Sequence, residues 1–179
     1  TLVSAHENVP AATHLPFTVH ETDRIVLRSH FARANPQWKE AAGKQVLVIF
    51  QGPHAYISPT HYEKELNVPT WDYISVHAYG EVSLVSDTVE SLTMLEGMID
   101  QFEPSYQKQW EGLPPTYKLS MLKGIVPFEV SVSRIEGQRK LSQNKTPTEQ
   151  ERIATYLSKS EHSNERQLAA FMVNSSLPL

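Results

Sequence analysis

The residues best suited to chemistry lie between two strand-like segments near the start of the chain. His30 and Arg33 are followed by Asn35, which can cap a short helix with Pro36 at its first position and Gly43 near its end. Backbone N–H groups at the start of such a helix, with Arg33 and His30 nearby, would suit an anion such as phosphate. A satisfied loop network or a surface salt bridge explains the same residues, so both interpretations stay open.

Two further segments carry side chains that suit a planar ligand. Trp71 follows a loop stiffened by Pro69, where its indole could stack on a flat ring or close the end of a barrel. Residues 140–145 combine two lysines, a serine and two amides, which suits phosphate or a heteroaromatic edge and equally a solvated loop. His14 lies in a largely apolar segment, where a hydrogen-bonded core histidine is the default, and Thr13 beside it is no more diagnostic.

Several common chemistries are not indicated. The chain has no cysteine, which excludes disulfides, thiolate nucleophiles and cysteine-based metal sites. A metal would need ligands such as His54, His61, His77 and Glu65, but no HExxH or comparable spacing is present, and we predict no metal. No GxSxG, GxGxxG or Walker-type motif occurs, so hydrolase, dinucleotide and P-loop chemistry are not predicted.

The size and composition of the chain indicate one globular domain. It has 179 residues, of which 40% are hydrophobic and 20% charged. The net charge of -4 and the isoelectric point near 6.0 argue against a broad nucleic-acid-binding surface and against direct DNA binding. No apolar run of membrane-spanning length and no leader-like start occur, so we expect a cytoplasmic protein without a membrane partner. Because Leu2 to Ser4 resemble a strand interior, we expect the native chain to begin earlier.

Strand-like segments dominate the first half of the chain. Residues 46–50 form an unbroken apolar run, as expected for a strand covered on both faces. Residues 20–23 can turn the chain between two strands, which predicts an antiparallel hairpin. The predicted strands comprise the opening residues and the segments 11–19, 25–30, 45–51, 55–58, 73–85 and 125–135.

Capping signals and apolar periodicity predict helices in the second half. Residues 87–90 resemble a capping box that opens a helix to about Glu103, and Thr148 with Glu151 resembles another that opens a helix to about Ser158. A last short helix is predicted over residues 165–173. Mostly antiparallel strands with interspersed helices, in a chain of this size, predict a mainly β fold with α-helices, arranged as a closed or nearly closed β-barrel.

Six blocks of sequence occur in order along the chain, namely HFARANPQW, VLVIFQGPHAYISP, VPTWDY, VHAYG, LKGIV and KLSQNK. Together they closely resemble the PaiB-type FMN-binding negative transcriptional regulators, a branch of the flavin-reductase-like split-barrel proteins, from Leu2 to about Met172. The resemblance implies an antiparallel FMN-binding split-barrel domain over residues 1–145. A C-terminal helical extension over residues 146–179 would pack on the same domain. The family also implies a homodimer that binds FMN in grooves at its interface.

The resemblance also implies, by position, which residues contact FMN. Those around the phosphate and ribityl end would be Thr13, His14, Ser29, His30, Arg33 and Asn35, with Arg33 supplying charge. Trp71 and Tyr56 would lie near the isoalloxazine. The C-terminal loop would reach the cofactor through Lys140, Ser142 and Gln143, and could do so across the dimer interface. No catalytic residue is implied.

Three functions stay open at this point. The first is an FMN-binding regulatory protein that resembles repressors of degradative-enzyme synthesis and sporulation. It would act indirectly, because no helix-turn-helix signature is visible. The second is an FMN-dependent oxidoreductase, flavin reductase-like or haem-degrading, because FMN also supports redox chemistry, although no residue identifies a substrate. The third is a flavin-storing or sensing module without turnover.

Overall fold

Seven strands dominate the computed structural model, which describes residues 1–173. The strands are β1 (Leu2–His6), β2 (Val9–Thr13), β3 (Thr18–Glu21), β4 (Ile25–Ala32), β5 (Gln45–Ile57), β6 (Thr70–Leu84) and β7 (Ile125–Lys140). The helices are α1 (Gln37–Ala41), α2 (Thr88–Phe102), α3 (Gln107–Gly112), α4 (Pro115–Leu122), α5 (Pro147–Ser158) and α6 (Ser163–Val173). Short 3₁₀ turns occur at Pro59–His61 and Pro104–Tyr106. The predicted mainly β class with helices is therefore confirmed.

All seven strands belong to one sheet, in the order β2-β1-β5-β6-β7-β4-β3. Strands β1 and β2 pair antiparallel through a two-residue turn, Glu7 and Asn8, whose φ angles of 49° and 64° are those of a type I′ hairpin. The hairpin predicted around residues 20–23 is confirmed, since β3 and β4 pair antiparallel with Thr18 opposite Arg28.

Strand β4 obtains its second neighbour from far along the chain. It pairs antiparallel with β7 from Val26 opposite Ser131 to Ala32 opposite Ile125. The Arg28 Nε atom donates to Glu129 Oε1 over 2.6 Å across this pair.

The chain divides into two compact units with separate sets of buried residues. The first unit comprises Thr1–Ile49 and His77–Ile135, and the second comprises Phe50–Val76 and the chain from Glu136 onward. In the first unit the fully buried side chains include Leu2, Phe31, Val48, Val82, Phe128 and Val130, and the Phe31 and Phe128 rings stack with centroids 4.5 Å apart. In the second unit, Ala55, Ile57, Tyr62, Leu141, Ile153, Leu157, Leu168 and Met172 form one apolar cluster. The predicted division at residue 145 stays a prediction.

Two strand predictions were wrong in their continuity. Residues 11–19 are not one strand, because β2 ends at Thr13 and β3 begins only at Thr18. The interruption contains Pro16, which lacks the N–H that a ladder needs. Conversely, the predicted strands 45–51 and 55–58 are both parts of the uninterrupted β5.

Several element ends also differ from the prediction. Strand β6 begins at Thr70 rather than residue 73, so Trp71 lies within a strand. Strand β7 continues to Lys140 rather than ending near residue 135. The helix predicted from Asp87 is confirmed, since Asp87 Oδ1 accepts the Glu90 N–H over 2.8 Å. The capping box assigned to Thr148 and Glu151 was wrong, as described below for α5.

Helix α5 begins two residues earlier than predicted. Thr146 Oγ1 accepts the Glu149 N–H over 3.3 Å, while Glu149 Oε2 accepts the Thr146 N–H over 3.0 Å. Pro147 occupies the first helical position, where its fixed φ is favourable. Helix α6 begins at Ser163 rather than Glu165.

Candidate functional site

Three polar side chains meet where β2 ends and α1 begins, all within the first unit. Thr13 Oγ1 accepts from Asn35 Nδ2 over 2.8 Å and donates to Gln37 Oε1. Asn35 Oδ1 accepts the Gln37 N–H over 3.0 Å. Gln37 Nε2 in turn donates to Ser4 Oγ and to the Ala11 carbonyl oxygen, both over 3.0 Å. Thr13 and Asn35 are among the residues predicted from the sequence, whereas Gln37, which is buried and connects them to the sheet, was not predicted.

This network changes what the start of α1 can offer to a ligand. The helix is only five residues long and begins at Gln37, one residue later than predicted. The predicted N-cap at Asn35 was wrong by one residue, since Pro36 is the N-cap, although Asn35 Oδ1 still accepts the Gln37 N–H. Thr13, Asn35 and Gln37 line one side of a cleft of about 380 Å³. The polar groups here can therefore serve a ligand mainly by exchanging hydrogen bonds that they already make with one another.

Arg33 contacts backbone carbonyl groups that precede and open β7. Its Nη2 atom donates to the Ile125 carbonyl oxygen over 2.7 Å, and its Nε atom donates to that of Lys123 over 3.4 Å. The guanidinium carbon lies 5.6 Å from the centre of the Trp38 ring. The side chain is otherwise exposed, so its charge stays accessible from the solvent side.

The remaining predicted residues of the first unit do not join the Thr13 network. Ser29 is fully buried, and its hydroxyl group donates to the Pro16 carbonyl oxygen over 2.7 Å. A ring nitrogen of His14 lies 3.0 Å from Thr1 Oγ1. His30 follows Ser29 and therefore lies on the opposite face of β4, where it contributes to an apolar pocket with α2. The structure thus brings Thr13 and Asn35 together and leaves the others at separate positions.

An exposed aromatic surface occurs in the second unit. The Trp71 and His54 rings lie with centroids 5.4 Å apart, and Trp71 remains 49% exposed. Tyr56 lies two residues after His54 on β5, hence on the same face of the strand, and is 55% exposed. Because Trp71 lies on a strand, its indole is presented by hydrogen-bonded backbone rather than by the loop that the sequence predicted.

A cation lies at the end of β7 in the same unit. Lys140 Nζ donates to Thr70 Oγ1, beside Trp71 in the sequence. Tyr73 donates its hydroxyl group to Gln138 Oε1. The end of β7 is therefore tied to the start of β6 by side-chain hydrogen bonds as well as by the sheet.

Ser142 and Gln143 shape the turn that follows β7. Ser142 is buried with a positive φ of 55°, and its hydroxyl group donates to Asp72 Oδ2 over 2.6 Å. Gln143 Oε1 accepts the Leu141 N–H over 2.7 Å, and Gln143 Nε2 donates to the Arg139 carbonyl oxygen. Ser142 thus turns toward β6 and Gln143 toward its own loop, and Lys140 is the member of this group with a terminal charge at the surface.

Asp72 is a buried carboxyl group that the sequence analysis did not select. It has no exposed surface, and burial raises its pKa although the Ser142 hydrogen bond and the Lys140 charge oppose that shift. Within the described residues, its Oδ1 atom has no hydrogen-bond partner. An acidic residue between Trp71 and Tyr73 carries no sequence signal of burial, because alternation along β6 is weak at this end.

Two absences bear on the chemistry. Among residues 1–173, no three or more His, Asp or Glu side chains are grouped so that they could hold a metal ion. Across the same range, no helix combines the length and the apolar character needed to cross a bilayer.

Comparison with known proteins assigns the chain to a group. Residues 1–134 match the model of a protein family described as "Putative FMN-binding domain". The protease synthase and sporulation protein PAI 2 of Bacillus subtilis is 40% identical over 178 residues, covering 96% of this chain and 84% of that protein. These matches confirm the resemblance inferred from the six sequence blocks.

Solved structures of low sequence identity share the fold. A FAD- and haem-binding protein from Mycobacterium smegmatis aligns with a TM-score of 0.60 and 13% identity, covering 86% of this chain and 70% of that chain. The flavocytochrome Anf3 from Azotobacter vinelandii aligns with a TM-score of 0.55 and 16% identity, covering 78% of this chain and 60% of that chain. At these identities the likeness concerns the fold alone, and it confirms the predicted split-barrel fold.

Proposed function

The chain belongs to the family described as "Putative FMN-binding domain", and on that premise we propose that it binds FMN as its cofactor. The observation that carries the proposal is the exposed aromatic pair of the second unit. Trp71 keeps 49% of its surface exposed while its ring lies 5.4 Å from that of His54. The isoalloxazine of FMN is a flat heteroaromatic ring that would cover this surface.

The aromatic surface suits the isoalloxazine for physical reasons. A large aromatic side chain left half-exposed on a strand forgoes burial free energy that a ligand can supply. Stacked or edge-on aromatic contacts add about 0.5–1.5 kcal/mol beyond the burial itself. Tyr56 extends the apolar surface beyond His54, and Lys140 adds positive charge that favours the electron-rich carbonyl edge of the ring.

Arg33 is our candidate for the phosphate end. A guanidinium carries five N–H donors, and its two backbone contacts engage Nε and Nη2, which leaves donors for a phosphate. Thr13 and Asn35 offer hydroxyl and amide groups that could rearrange toward the ribityl chain. Ser29, being buried, would act indirectly by holding the segment that carries His14.

We further propose a cytoplasmic homodimer with a regulatory role, as the resemblance to the PaiB-type regulators implies; the relative of Bacillus subtilis is named a protease synthase and sporulation protein. The net charge of -4 provides little attraction toward DNA, so regulation would proceed through flavin rather than through promoter contacts. Light scattering of the purified protein should give twice the mass of one chain; a monomeric mass at micromolar concentration would contradict the dimer.

Flavin fluorescence titration with FMN and riboflavin tests the cofactor and its orientation. Replacing Trp71 with Ala should weaken both flavins by about tenfold, because both contain the isoalloxazine. Tyr156→Ala is the matched control, since Tyr156 is 61% exposed and also lies beside a histidine, with 4.8 Å between its ring centroid and that of His61. Arg33→Ala should weaken FMN much more than riboflavin, because only FMN carries phosphate.

The outcomes of this titration separate the parts of the proposal. Equal losses for Trp71→Ala and Tyr156→Ala would remove the aromatic surface from the flavin site. Equal losses of FMN and riboflavin in Arg33→Ala would remove Arg33 from the phosphate. NAD(P)H oxidation by the FMN-loaded protein would indicate the oxidoreductase instead, and salt-resistant binding to promoter DNA would indicate a direct regulator.

A further inference from the structure

A second pocket, of about 320 Å³, lies in the first unit between β4 and the helices that follow β6. His30 lines it from β4, and the apolar side chains Leu95, Met98, Ile99, Phe102, Tyr106 and Trp110 line it from α2, the following 3₁₀ turn and α3. Phe102 remains 57% exposed at its edge. The volume falls at the lower end of the range for small-molecule sites, and the lining is predominantly apolar with few polar groups, as such sites require.

His30 contributes a buried polar atom to this lining. Its Nδ1 atom is buried and has no hydrogen-bond partner among the described residues. Burial lowers the pKa of the ring, so His30 is neutral near pH 7 and one of its nitrogens is a free acceptor. A buried polar atom without a partner is costly, and a hydrogen-bonding group supplied by a ligand would remove that cost.

The other polar groups of the pocket already have partners or reach solvent. Trp110 Nε1 donates to Glu96 Oε1 over 3.0 Å. The Lys118 ammonium lies over the Trp110 ring, 4.6 Å from its centre. Glu103 is exposed. Among the described residues of this lining, His30 Nδ1 is therefore the buried polar atom that still lacks a hydrogen-bond partner, and apolar and aromatic surface surrounds it.

We propose that this pocket binds a small aromatic molecule that carries one hydroxyl group, independently of FMN. The aromatic ring would fill the space among Met98, Ile99 and Phe102, and the hydroxyl group would pair with His30 Nδ1. A hydroxyl group suits this atom because it can donate to the imidazole or accept from it, whichever nitrogen carries the proton. The chain would then respond to a phenolic compound through α2, which supplies four of the lining residues.

Phenol is the probe, and toluene is its counterpart of similar size without the hydroxyl group. Binding can be followed by NMR through the ¹³C-labelled methyl group of Met98 and the ¹⁵N-labelled ring of His30. We expect phenol to shift both signals and toluene to shift only the methyl signal. His30→Phe should weaken phenol by roughly three- to tenfold, the value of one hydrogen bond, and leave toluene unchanged.

The controls distinguish a specific site from general apolar binding. His20→Phe changes a partly buried histidine whose ring already bonds Thr18 Oγ1, and it should leave phenol binding intact. Phenol should still bind when the protein is saturated with FMN. Displacement of phenol by FMN would show that His30 belongs to the flavin site and would contradict an independent pocket. If phenol leaves the NMR signal of the His30 ring nitrogen or of the Met98 methyl group unshifted, no such ligand binds here. The comparison of phenol with toluene in the unmodified protein does not depend on the folding of any variant.

Discussion

The buried carboxyl group of Asp72 has consequences for the second unit at the scale of single residues. Asp72 is fully buried and lies between Trp71 and Tyr73 in the sequence, and its Oδ2 atom accepts a hydrogen bond from the Ser142 hydroxyl group. Ser142 holds a left-handed backbone conformation that is uncommon for a residue with a side chain. The hydrogen bond to Asp72 helps to hold that conformation, so the acid and the turn after β7 depend on each other.

The ionisation of Asp72 should make stability depend on pH. Because burial raises its pKa in the folded state, the folded protein binds this proton more tightly than the unfolded chain. This tighter binding of the proton adds to the free energy of unfolding. The added stability is complete at pH values below the usual carboxyl pKa, and it is lost as the pH rises through the raised pKa of folded Asp72. Urea unfolding across pH 4–8 should show this loss in the unmodified protein but not in Asp72→Asn, whose amide oxygen keeps the Ser142 bond. Parallel pH profiles would show that Asp72 titrates as in the unfolded chain.

Individual residues also show what sequence could and could not predict about the site. The sequence predicted that Trp71 either stacks on a flat ligand ring or closes the end of the barrel. The two roles differ in how exposed the indole is, and that exposure depends on which parts of the chain cover β6. Gln37 and Asp72 were missed because their importance comes from burial and from partners distant in the chain, such as Ser4 and Ser142. A polar residue reveals nothing of its partners until the strands that carry them are placed.

At the scale of elements, the start of α5 provides a direct test of the assigned cap. Thr146→Ala should lower the free energy of unfolding by about 0.5–2 kcal/mol, because the Glu149 N–H loses its acceptor. Thr148→Ala, two residues later and exposed, should change it by less than about 0.5 kcal/mol. Urea denaturation of both variants measures the two free energies of unfolding. A larger loss for Thr148→Ala than for Thr146→Ala would instead support Thr148 as the cap of α5, as the sequence predicted.

The close approach of the β7 backbone to Gly80 on β6 gives a second prediction at this scale. A Cβ atom added at Gly80 would lie 2.4 Å from the Ser131 carbonyl oxygen and 2.7 Å from Val130 Cγ1. Gly80→Ala should therefore destabilise the protein by about 1–3 kcal/mol, since backbone must move to make room. The control is Gly97→Ala within α2, where nothing lies within 4 Å, and it should stabilise by up to about 1 kcal/mol. Calorimetry compares the two, and a harmless Gly80→Ala would contradict the packing.

Elements were predicted well where local signals agree and poorly where tertiary context decides. Asp87 caps α2 and the 20–23 turn joins β3 to β4, as local chemistry indicates. Gly52 and Pro53 indicate an interruption in the sequence, but strand β5 runs through both. Tertiary context decides here, because a Cβ atom at residue 52 would lie only 2.9 Å from the Ile74 carbonyl oxygen, and glycine leaves that space free. Helices α3 and α4 received no prediction, since each is short and the pair is separated by Pro114.

For the whole molecule, cofactor binding should appear as thermal stabilisation. A ligand that binds only the folded state at 100 times its dissociation constant adds about 2.7 kcal/mol, which corresponds to roughly 5–10 °C for a chain of this length. FMN should therefore raise the melting temperature by several degrees, and riboflavin at the same concentration should raise it less. Differential scanning fluorimetry at fixed protein concentration measures both; no shift at saturating FMN would contradict cofactor binding.

The pairing of β4 with β7 also has a consequence for folding during translation. Arg28 and Glu129, which face each other in the finished sheet, are 101 positions apart. At about 5–20 residues per second, the ribosome needs roughly 5–20 s to add the stretch between them. During that interval the nascent β3–β4 hairpin carries a strand whose second edge has nothing to pair with. Newly synthesised chains are therefore expected to need chaperone protection most while β7 is still being translated.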